Sequence, residues 1–373
     1  MKSENRNPIL QIIAPTLTVA RSLLVPLAAT LAALMVGGLV MALIGINPWA
    51  GFKAIFEGAF SSPTRIGAAL TKATPLILAG LAVALPFRSG ILNIGGEGQI
   101  YIGALAATLV ALGPKDLPIA IHLPLVLLAG FAGGFVWGAI PGWLRAKLKL
   151  NELITTIMLN YVGFWIVSYL VHGPIKDPGG SGYPWSVKIP VTAELPILLK
   201  SYQINLGLAV ALIMAVVSHF LLWRTSFGFE MRAVGCGREA ARLAGIDPKR
   251  TIILTLAIGG GLAGLAGLAE VMGVQHRLSD FFSPNYGYDA VVVALVGQSS
   301  PLGVVIAGLF FGALRSGTDA AARTIALPAS IAHIIQALTL LFVIGSNSDI
   351  FKRFWQKRRK ASVRNVGSTT PVS

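Results

Sequence analysis

Long apolar runs alternate with short polar segments along almost the whole chain. Runs of this length predict transmembrane helices, since about 20 apolar residues cross the hydrocarbon core of a bilayer. The predicted spans are Leu23–Ile46, Ala68–Phe87, Ile91–Leu112, Ile119–Ile140, Leu153–Val171, Asn205–Trp223, Thr251–Val274, Pro301–Leu314 and Ile325–Ile344. The pattern therefore indicates an all-α, polytopic transmembrane bundle of about eight to ten spans.

Two apolar runs are interrupted by glycine and amide residues. One interruption is "GILNIGGEGQ" at residues 90–99, and the other is "VGQSSP" at residues 296–301, after the short apolar stretch Ala290–Val296. A glycine inside a helix costs up to about 1 kcal/mol relative to alanine. Broken helices at membrane depth occur where they are buried in protein or line a wet cavity. One interruption falls in each half of the chain, which is typical of transporters built from two related halves.

Composition and charge sharpen this picture. The 373 residues are 54% hydrophobic and only 12% charged, whereas soluble domains are about a quarter charged. Most of the 30 basic residues lie ahead of the first run, in "RAKLKLN", between residues 224 and 250, and after residue 351. Basic residues in short loops mark cytoplasmic sides. Despite a net charge of +15, the sequence offers no soluble domain that would present a basic face to nucleic acid, so nucleic-acid binding is excluded.

The charge pattern also predicts the domain organisation. We expect a cytoplasmic N-terminal segment at 1–22, a transmembrane domain at 23–346 and a basic cytoplasmic tail at 347–373. Within the transmembrane domain, residues 224–250 form a cytoplasmic loop whose "REAARLAGI" part predicts a short helix, and residues 173–204 form an extracytoplasmic loop. The tail is a solvated basic cluster or a contact to anionic lipids.

Polar side chains at or near the interruptions are candidates for lining a solute pathway. A carboxylate that faces lipid is costly, so Glu97 must face the bundle interior or a water-filled space. It either contacts substrate or ties its broken helix to a neighbour, whereas the amides could equally cap helix ends or join helices. The pathway candidates are Asn93, Glu97, Gln99, Asn160, Gln298 and Ser299.

Several kinds of chemistry are missing from the sequence. The five histidines are not spaced as metal ligands, and Cys236 is the only cysteine. No P-loop or nucleophile elbow is present, so any ATP must be bound by another chain. An intramembrane enzyme would need a catalytic constellation, and the sequence contains none.

Four blocks carry a family resemblance: "SGILNIGGEGQIYIGALAA" (89–107), "NELITTIMLNYV" (151–162), "GREAARLAGI" (237–246) and "VALVGQSSPLGVVIAGLFFG" (293–312). The third resembles the EAA-type coupling segment of ABC-transporter permeases. The first resembles the signature stretch of permeases for nucleosides and simple sugars. Together they resemble the inner-membrane permeases of the branched-chain amino acid, simple sugar and nucleoside importer superfamily. Within that superfamily, their residues are most similar to those of guanosine-type nucleoside permeases.

The resemblance implies a transport subunit that is not an enzyme and moves nucleosides by alternating access in the bacterial cytoplasmic membrane, with both termini cytoplasmic. It implies cytoplasmic ATPase subunits that bind ATP and Mg, a second homologous permease in a heterodimer, an extracytoplasmic substrate-binding protein and contact with membrane lipid. No cofactor or metal belongs to this chain. The residues expected to couple it to the ATPase are Arg232, Glu239, Ala240, Ala241, Arg242 and Gly245.

Two alternatives stay open. Within the same class, the solute could be a simple sugar or a branched-chain amino acid. In a different class, an ion-coupled secondary transporter would use intramembrane acids, and Glu97, Glu270, Asp289 and Asp319 are available.

Overall fold

The structure is a computed structural model that describes residues 27–113, 117–179 and 182–347. The described residues are 76% helical. The helices, in chain order, are α1 (Leu27–Leu43), α2 (Pro48–Phe60), α3 (Pro63–Arg88), α4 (Gly96–Leu112), α5 (Ile119–Leu148), α6 (Glu152–His172), α7 (Leu206–Arg224), α8 (Ser226–Cys236), α9 (Arg238–Leu243), α10 (Pro248–Glu270), α11 (Tyr286–Val296), α12 (Pro301–Ile325) and α13 (Ser330–Asn347). A π-helical turn, Val271–Gln275, continues α10, and two short strands, β1 (Ile197–Leu199) and β2 (Ile204–Asn205), pair antiparallel.

The predicted fold class, an all-α polytopic bundle with broken helices, is confirmed. In the described part of the chain, six helices are long and apolar enough to cross a membrane, or seven if the bent pair α1 and α2 counts as one span. Three shorter apolar helices accompany them: α4, α11 and α13. The predicted N-terminal segment 1–22 and residues 348–373 of the predicted basic tail lie outside the described residues.

The chain divides into two compact units. The first is Met1–Trp49 with Ser330–Ser373, and in its described part α1 packs on α13, where a methyl group added at Gly37 would come within 2.7 Å of the Ile335 side chain. The second is Ala50–Ala329, which contains both predicted interruptions and residues 224–250, the predicted cytoplasmic loop that carries the expected coupling residues and that we call the coupling loop.

Helices α3 and α10 form the centre of the second unit. Their most apolar windows are 78% and 83% buried, against 28% in α5. Helix α10 lies against α5 through glycines, because a side chain at Gly260 would overlap the backbone of Gly134, and one at Gly264 that of Gly130. Small residues at this spacing let helix backbones approach closely inside a membrane.

Both predicted interruptions are present. Helix α4 begins only at Gly96, after an irregular segment at 89–95, and a turn at residues 297–300 separates α11 from α12. Helix α5 continues beyond the predicted Ile140, since the basic residues of its last turn end the apolar run but favour a helix C-terminus.

The predicted span Pro301–Leu314 is too short, because α12 continues well beyond it. Charged residues end the apolar run at this point, yet they are paired in the structure. Arg315 lies 3.0 Å from Asp289, and Asp319 forms an ion pair with Lys72. Pairing with residues distant in sequence lets a helix carry charge through a protein interior, which hydropathy alone does not reveal.

Residues 173–179 and 182–205 fold onto the segment that follows α10. The Ser186 N–H donates to the Leu278 carbonyl at 2.8 Å, and the Leu195 N–H donates to the Met272 carbonyl at 3.0 Å. Outside the helices, Arg277 donates to Asp177 at 2.7 Å, and this hydrogen bond lowers the pKa of the Asp177 carboxyl. The predicted extracytoplasmic loop is thus fastened to the chain that leads into α11.

Candidate functional site

The N-terminal ends of α4 and α11 meet. The Gly287 N–H, in the first turn of α11, donates to Glu97 Oε2 at 2.7 Å. A side chain at Gly287 would overlap backbone atoms of Glu97, so the two helix ends are in direct contact. The first N–H groups of a helix have no partner within it, and a carboxylate is favourable there. We call this contact the half-helix junction.

Asn93 and Gln99 secure the chain just before and inside the start of α4. Each amide donates to the other, at 3.0 and 3.2 Å. Asn93 also donates to the Ala82 carbonyl of α3 at 3.2 Å and accepts from the Gly95 N–H at 3.1 Å. The pair replaces the helical hydrogen bonds that the interruption removes.

Asn160 reaches the same place from α6. It accepts from the Gly98 N–H at 2.8 Å and donates to the Ile94 carbonyl at 2.9 Å. It also donates to the Tyr288 hydroxyl at 3.3 Å. One side chain therefore joins α6 to the segment before α4, to α4 itself and to α11.

Four of the six predicted pathway residues thus lie together at the half-helix junction. Their exposed fractions are small, from 0% for Asn93 to 7% for Glu97, and their polar atoms bond within the chain. In this structure they act on the backbone of the broken helices. Their contact with a solute stays a prediction.

Gln298 and Ser299 lie elsewhere, at the opposite end of α11. Both have left-handed backbones, with φ of 53° and 50°. Their carbonyl groups accept hydrogen bonds from Arg88 at 3.0 and 2.9 Å. The structure therefore separates these two from the other pathway candidates by the length of α11.

Exposed aromatic side chains border the junction. They are Tyr161 and Trp165 on α6, Phe281 ahead of α11, and Tyr288 in its first turn; we call them the aromatic face. The exposed fractions are 57%, 64%, 75% and 38% in that order. Phe281 contacts Phe164, with ring centroids 4.9 Å apart, and Tyr288 bonds to Asn160.

The position of Tyr161 indicates what this face meets. It lies near the middle of α6, one of the helices long enough to cross a membrane. A phenol hydroxyl among acyl chains would lack a hydrogen-bond partner, which is costly in hydrocarbon. The face is therefore suited to a wet route or to another protein chain. The sequence signal was the spacing of Tyr161, Trp165 and Tyr169 on one helix face, which the pathway prediction did not use.

The four carboxylates that an ion-coupled transporter would need all have protein partners. Glu97 accepts from Gly287, and Glu270 accepts from Gln275 at 3.0 Å. Asp289 pairs with Arg315 and Asp319 with Lys72. Among the described residues, no three His, Cys, Asp or Glu side chains are grouped to hold a metal ion.

The predicted coupling loop contains two helices, α8 and α9, and the short helix expected from its sequence is confirmed as α9. Ala241 is 4% exposed and packs in an apolar cluster with Ile91, Val234 and Leu256. The opposite face is open: Glu239, Ala240 and Arg242 are exposed, and Leu243 is 90% exposed. After α9, Gly245 turns the chain with φ of 84°, and no atom lies within 4 Å of where its side chain would be.

A cavity of about 840 Å³ lies between the end of α5 and this loop. Its charged lining is mostly basic: Arg145, Lys149, Arg238, Arg242 and Lys249, with Glu239 and Asp247. The remaining predicted coupling residue, Arg232, is on α8, where its guanidinium lies 4.6 Å from the ring centroid of Trp223. The six predicted coupling residues therefore lie on α8, on α9 and in the turn that follows α9.

Comparison with known proteins gives consistent matches. A family profile described as "Branched-chain amino acid transport system / permease component" matches residues 65–344. The chain is 39% identical over 340 residues to a glucose ABC transporter permease protein of Haloferax volcanii, covering 88% of both chains. It is 36% identical over 330 residues to a guanosine ABC transporter permease protein of Bacillus subtilis, covering 87% of this chain and 93% of the relative. A nucleoside ABC transporter permease protein of Lactococcus lactis is 33% identical over 331 residues, covering 87% and 91%.

Proposed function

The chain belongs to the permease family of branched-chain amino acid transport systems, and on that premise we propose that it is the membrane subunit of an ATP-driven nucleoside importer. Its relatives are named as ABC permeases for sugars and nucleosides, which supports a transport role and no enzymatic one. Two of the three relatives compared above are named for guanosine or nucleosides.

The aromatic face beside the half-helix junction is the observation that carries the nucleoside proposal. A nucleoside has a planar base and a polar ribose. Stacking of a base on an aromatic ring contributes about 1–3 kcal/mol, and Trp165 and Phe281 expose such rings. The hydroxyls of Tyr161 and Tyr288 supply hydrogen bonds for ribose or base edges. We propose that the solute passes along this face while the bundle alternates between two states.

Orientation and partners complete the proposal. The basic segment 224–250 and both termini face the cytoplasm of a bacterium, and residues 173–204 face outward toward a substrate-binding protein. The exposed side of α9, with Glu239, Ala240, Arg242 and Gly245, docks a cytoplasmic ATPase that binds ATP and Mg. The domain is residues 23–346, paired with a second homologous permease and surrounded by lipid.

Glucose is the second candidate solute. The relative at 39% identity is named a glucose permease, and sugars also pack against exposed aromatic rings. The structure is compatible with either solute, because both combine hydroxyl groups with a face that packs on an aromatic ring.

Uptake by the reconstituted complex tests the proposal. Radiolabelled guanosine, uridine, glucose and leucine are offered to proteoliposomes that contain this chain with its ATPase, partner permease and binding protein. We expect ATP-dependent accumulation of the nucleosides. Accumulation of glucose or leucine, with unlabelled nucleoside unable to compete, would contradict the nucleoside assignment.

Variants of the aromatic face test its role in the same assay. Trp165→Ala should lower the uptake rate by about fivefold or more, from the loss of stacking. Trp143→Ala is the matched control, since Trp143 is 49% exposed but lies on α5 and is not one of the residues of the aromatic face. Equal effects of the two substitutions would show that the aromatic face has no special part in transport.

A further inference from the structure

Arg88, the last residue of α3, holds the turn that ends α11. Its Nε donates to the Ser299 carbonyl at 2.9 Å, and its Nη2 donates to the Gln298 carbonyl at 3.0 Å. Both residues have left-handed backbones, which is uncommon for residues other than glycine. The rigid fork of a guanidinium suits two adjacent acceptors, and a positive charge is favourable at the C-terminal end of a helix. Arg88 thus stabilises a turn that the backbone alone disfavours.

The same arginine contacts the coupling loop. Two guanidinium groups contact the Trp223 ring, with centroid distances of 5.7 Å to Arg88 and 4.6 Å to Arg232 of α8. Cations over an indole ring are attracted to its face. In addition, a side chain at Gly235, near the end of α8, would overlap the Arg88 carbonyl, so the two backbones touch. Any displacement of α8 therefore acts directly on Arg88.

At its other end, α11 reaches the half-helix junction. Its 11 residues form a rod of about 16 Å. The turn held by Arg88 lies at one end of this rod, and the Glu97–Gly287 hydrogen bond lies at the other. A short helix moves as a rigid body, so a shift of the turn also displaces the end of α11 that lies at the half-helix junction.

We propose that Arg88 is a positioning residue that passes movement of the coupling loop to the half-helix junction. The contacts run from α8 through Trp223 and Arg88 to the turn at residues 297–300, and then along α11. Arg88 is not placed on the solute route. The transport part of this inference rests on the proposed function, whereas the mechanical part concerns the chain by itself.

A distance measurement on the full chain tests the mechanical part. Cys236 is the only cysteine and is exposed at the end of α8, and Leu302 is 59% exposed in the first turn of α12. Leu302→Cys therefore gives two spin-label sites, one on each side of the Arg88 contact. In lipid nanodiscs we expect a single narrow distance distribution, which Arg88→Gln broadens or shifts. Arg224→Gln is the matched control, because it removes the same charge from an exposed site one residue from Trp223 and should change nothing.

Coupling in the reconstituted complex tests the transport part. Arg88→Gln should lower the solute transported per ATP hydrolysed by roughly three- to thirtyfold, the range that coupled networks control. Arg88→Lys should recover part of the ratio, since lysine keeps the charge but not the fork. Trp223→Leu should lower the ratio as well. Combining it with Arg88→Gln should cause little further loss, because both act in one chain of contacts.

The outcomes separate the two claims. An unchanged distance distribution and an unchanged ratio in Arg88→Gln would overturn the inference. So would equal effects of Arg88→Gln and Arg224→Gln, or a fall in uptake with the ratio preserved, which marks a merely structural role. If the wild-type complex imports no solute with ATP, the proposed function fails, and the distance measurement still decides whether Arg88 connects the loop to the turn.

Discussion

At the scale of single residues, the carboxylate of Glu97 has a defined partner in the backbone of α11. It accepts the Gly287 N–H at 2.7 Å, and the side chain is only 7% exposed. A helix N-terminus buried in a bundle needs an acceptor for its free N–H groups. Glu97 supplies one from a different helix, so it joins two chain segments that are far apart in sequence.

Removing this acceptor should destabilise the protein. Glu97→Leu leaves the buried Gly287 N–H unpaired, at a cost of about 1–3 kcal/mol. Glu97→Gln keeps an oxygen in reach and should lose much less. Thermal unfolding of the purified chain in detergent measures the difference. Glu57→Leu is the control, because Glu57 is 54% exposed and forms a surface ion pair with Lys53 at 3.8 Å, which contributes little to stability. A Glu97→Leu variant as stable as Glu57→Leu would contradict this role.

At the scale of elements, the role of the turn after α9 can be tested by comparison with a turn of the same backbone conformation elsewhere in the chain. Gly245 and Gly45 have φ of 84° and 81°, and neither has an atom within 4 Å of a side-chain position. Substitution imposes the same backbone strain at both sites. Only Gly245 lies in the proposed docking surface.

We therefore expect Gly245→Trp to uncouple ATP hydrolysis from uptake and Gly45→Trp to leave coupling intact. The physical reason is steric, because a bulky side chain beside α9 holds the ATPase away from the exposed face. Uptake and ATP hydrolysis are measured together in proteoliposomes. Normal ATP-driven uptake by Gly245→Trp would rule out docking at this turn.

Element boundaries show what the sequence could predict. The glycines of residues 90–99 marked the break before α4, and Gly297 with Pro301 marked the break before α12, because these residues act locally on the backbone. The partners of the polar residues could not be predicted in this way. Asn160 bonds to Gly98, 62 residues away, and Arg88 bonds to Gln298, 210 residues away.

Partners that are distant in sequence also could not be predicted at the candidate site. A polar residue in an apolar run indicates that its side chain needs a polar partner, but it does not indicate whether that partner is the protein backbone or a solute. The fold brings four of the pathway candidates together at the half-helix junction, but the hydrogen bonds that they make there go to the chain itself. Arg88 was missed because a basic residue at a helix end is ordinary in a sequence.

At the scale of the whole molecule, the pairing of charges bears on the energy source. The described part of the second unit has buried or half-buried ion pairs between Arg315 and Asp289 and between Lys72 and Asp319. Paired charges in a low-dielectric interior are costly to separate, since each partner would be left uncompensated. An ion-coupled transporter instead needs acids that exchange H⁺ or Na⁺ in every cycle. Asp289 and Asp319 are therefore poorly suited to exchange an ion in every cycle, which agrees with the ATP-driven import proposed above.

Uptake should consequently follow ATP and ignore ion gradients. Proteoliposomes with the complete complex and internal ATP should keep their initial uptake rate when ionophores collapse the H⁺ and Na⁺ gradients. Omitting ATP, or disabling the hydrolytic site of the partner ATPase, should abolish uptake with the gradients intact. The opposite pattern, uptake without ATP that ends when a gradient is collapsed, would identify a secondary transporter. It would also require at least one of the four intramembrane acids, Glu97, Glu270, Asp289 or Asp319, to release its present partner during transport in order to bind the ion.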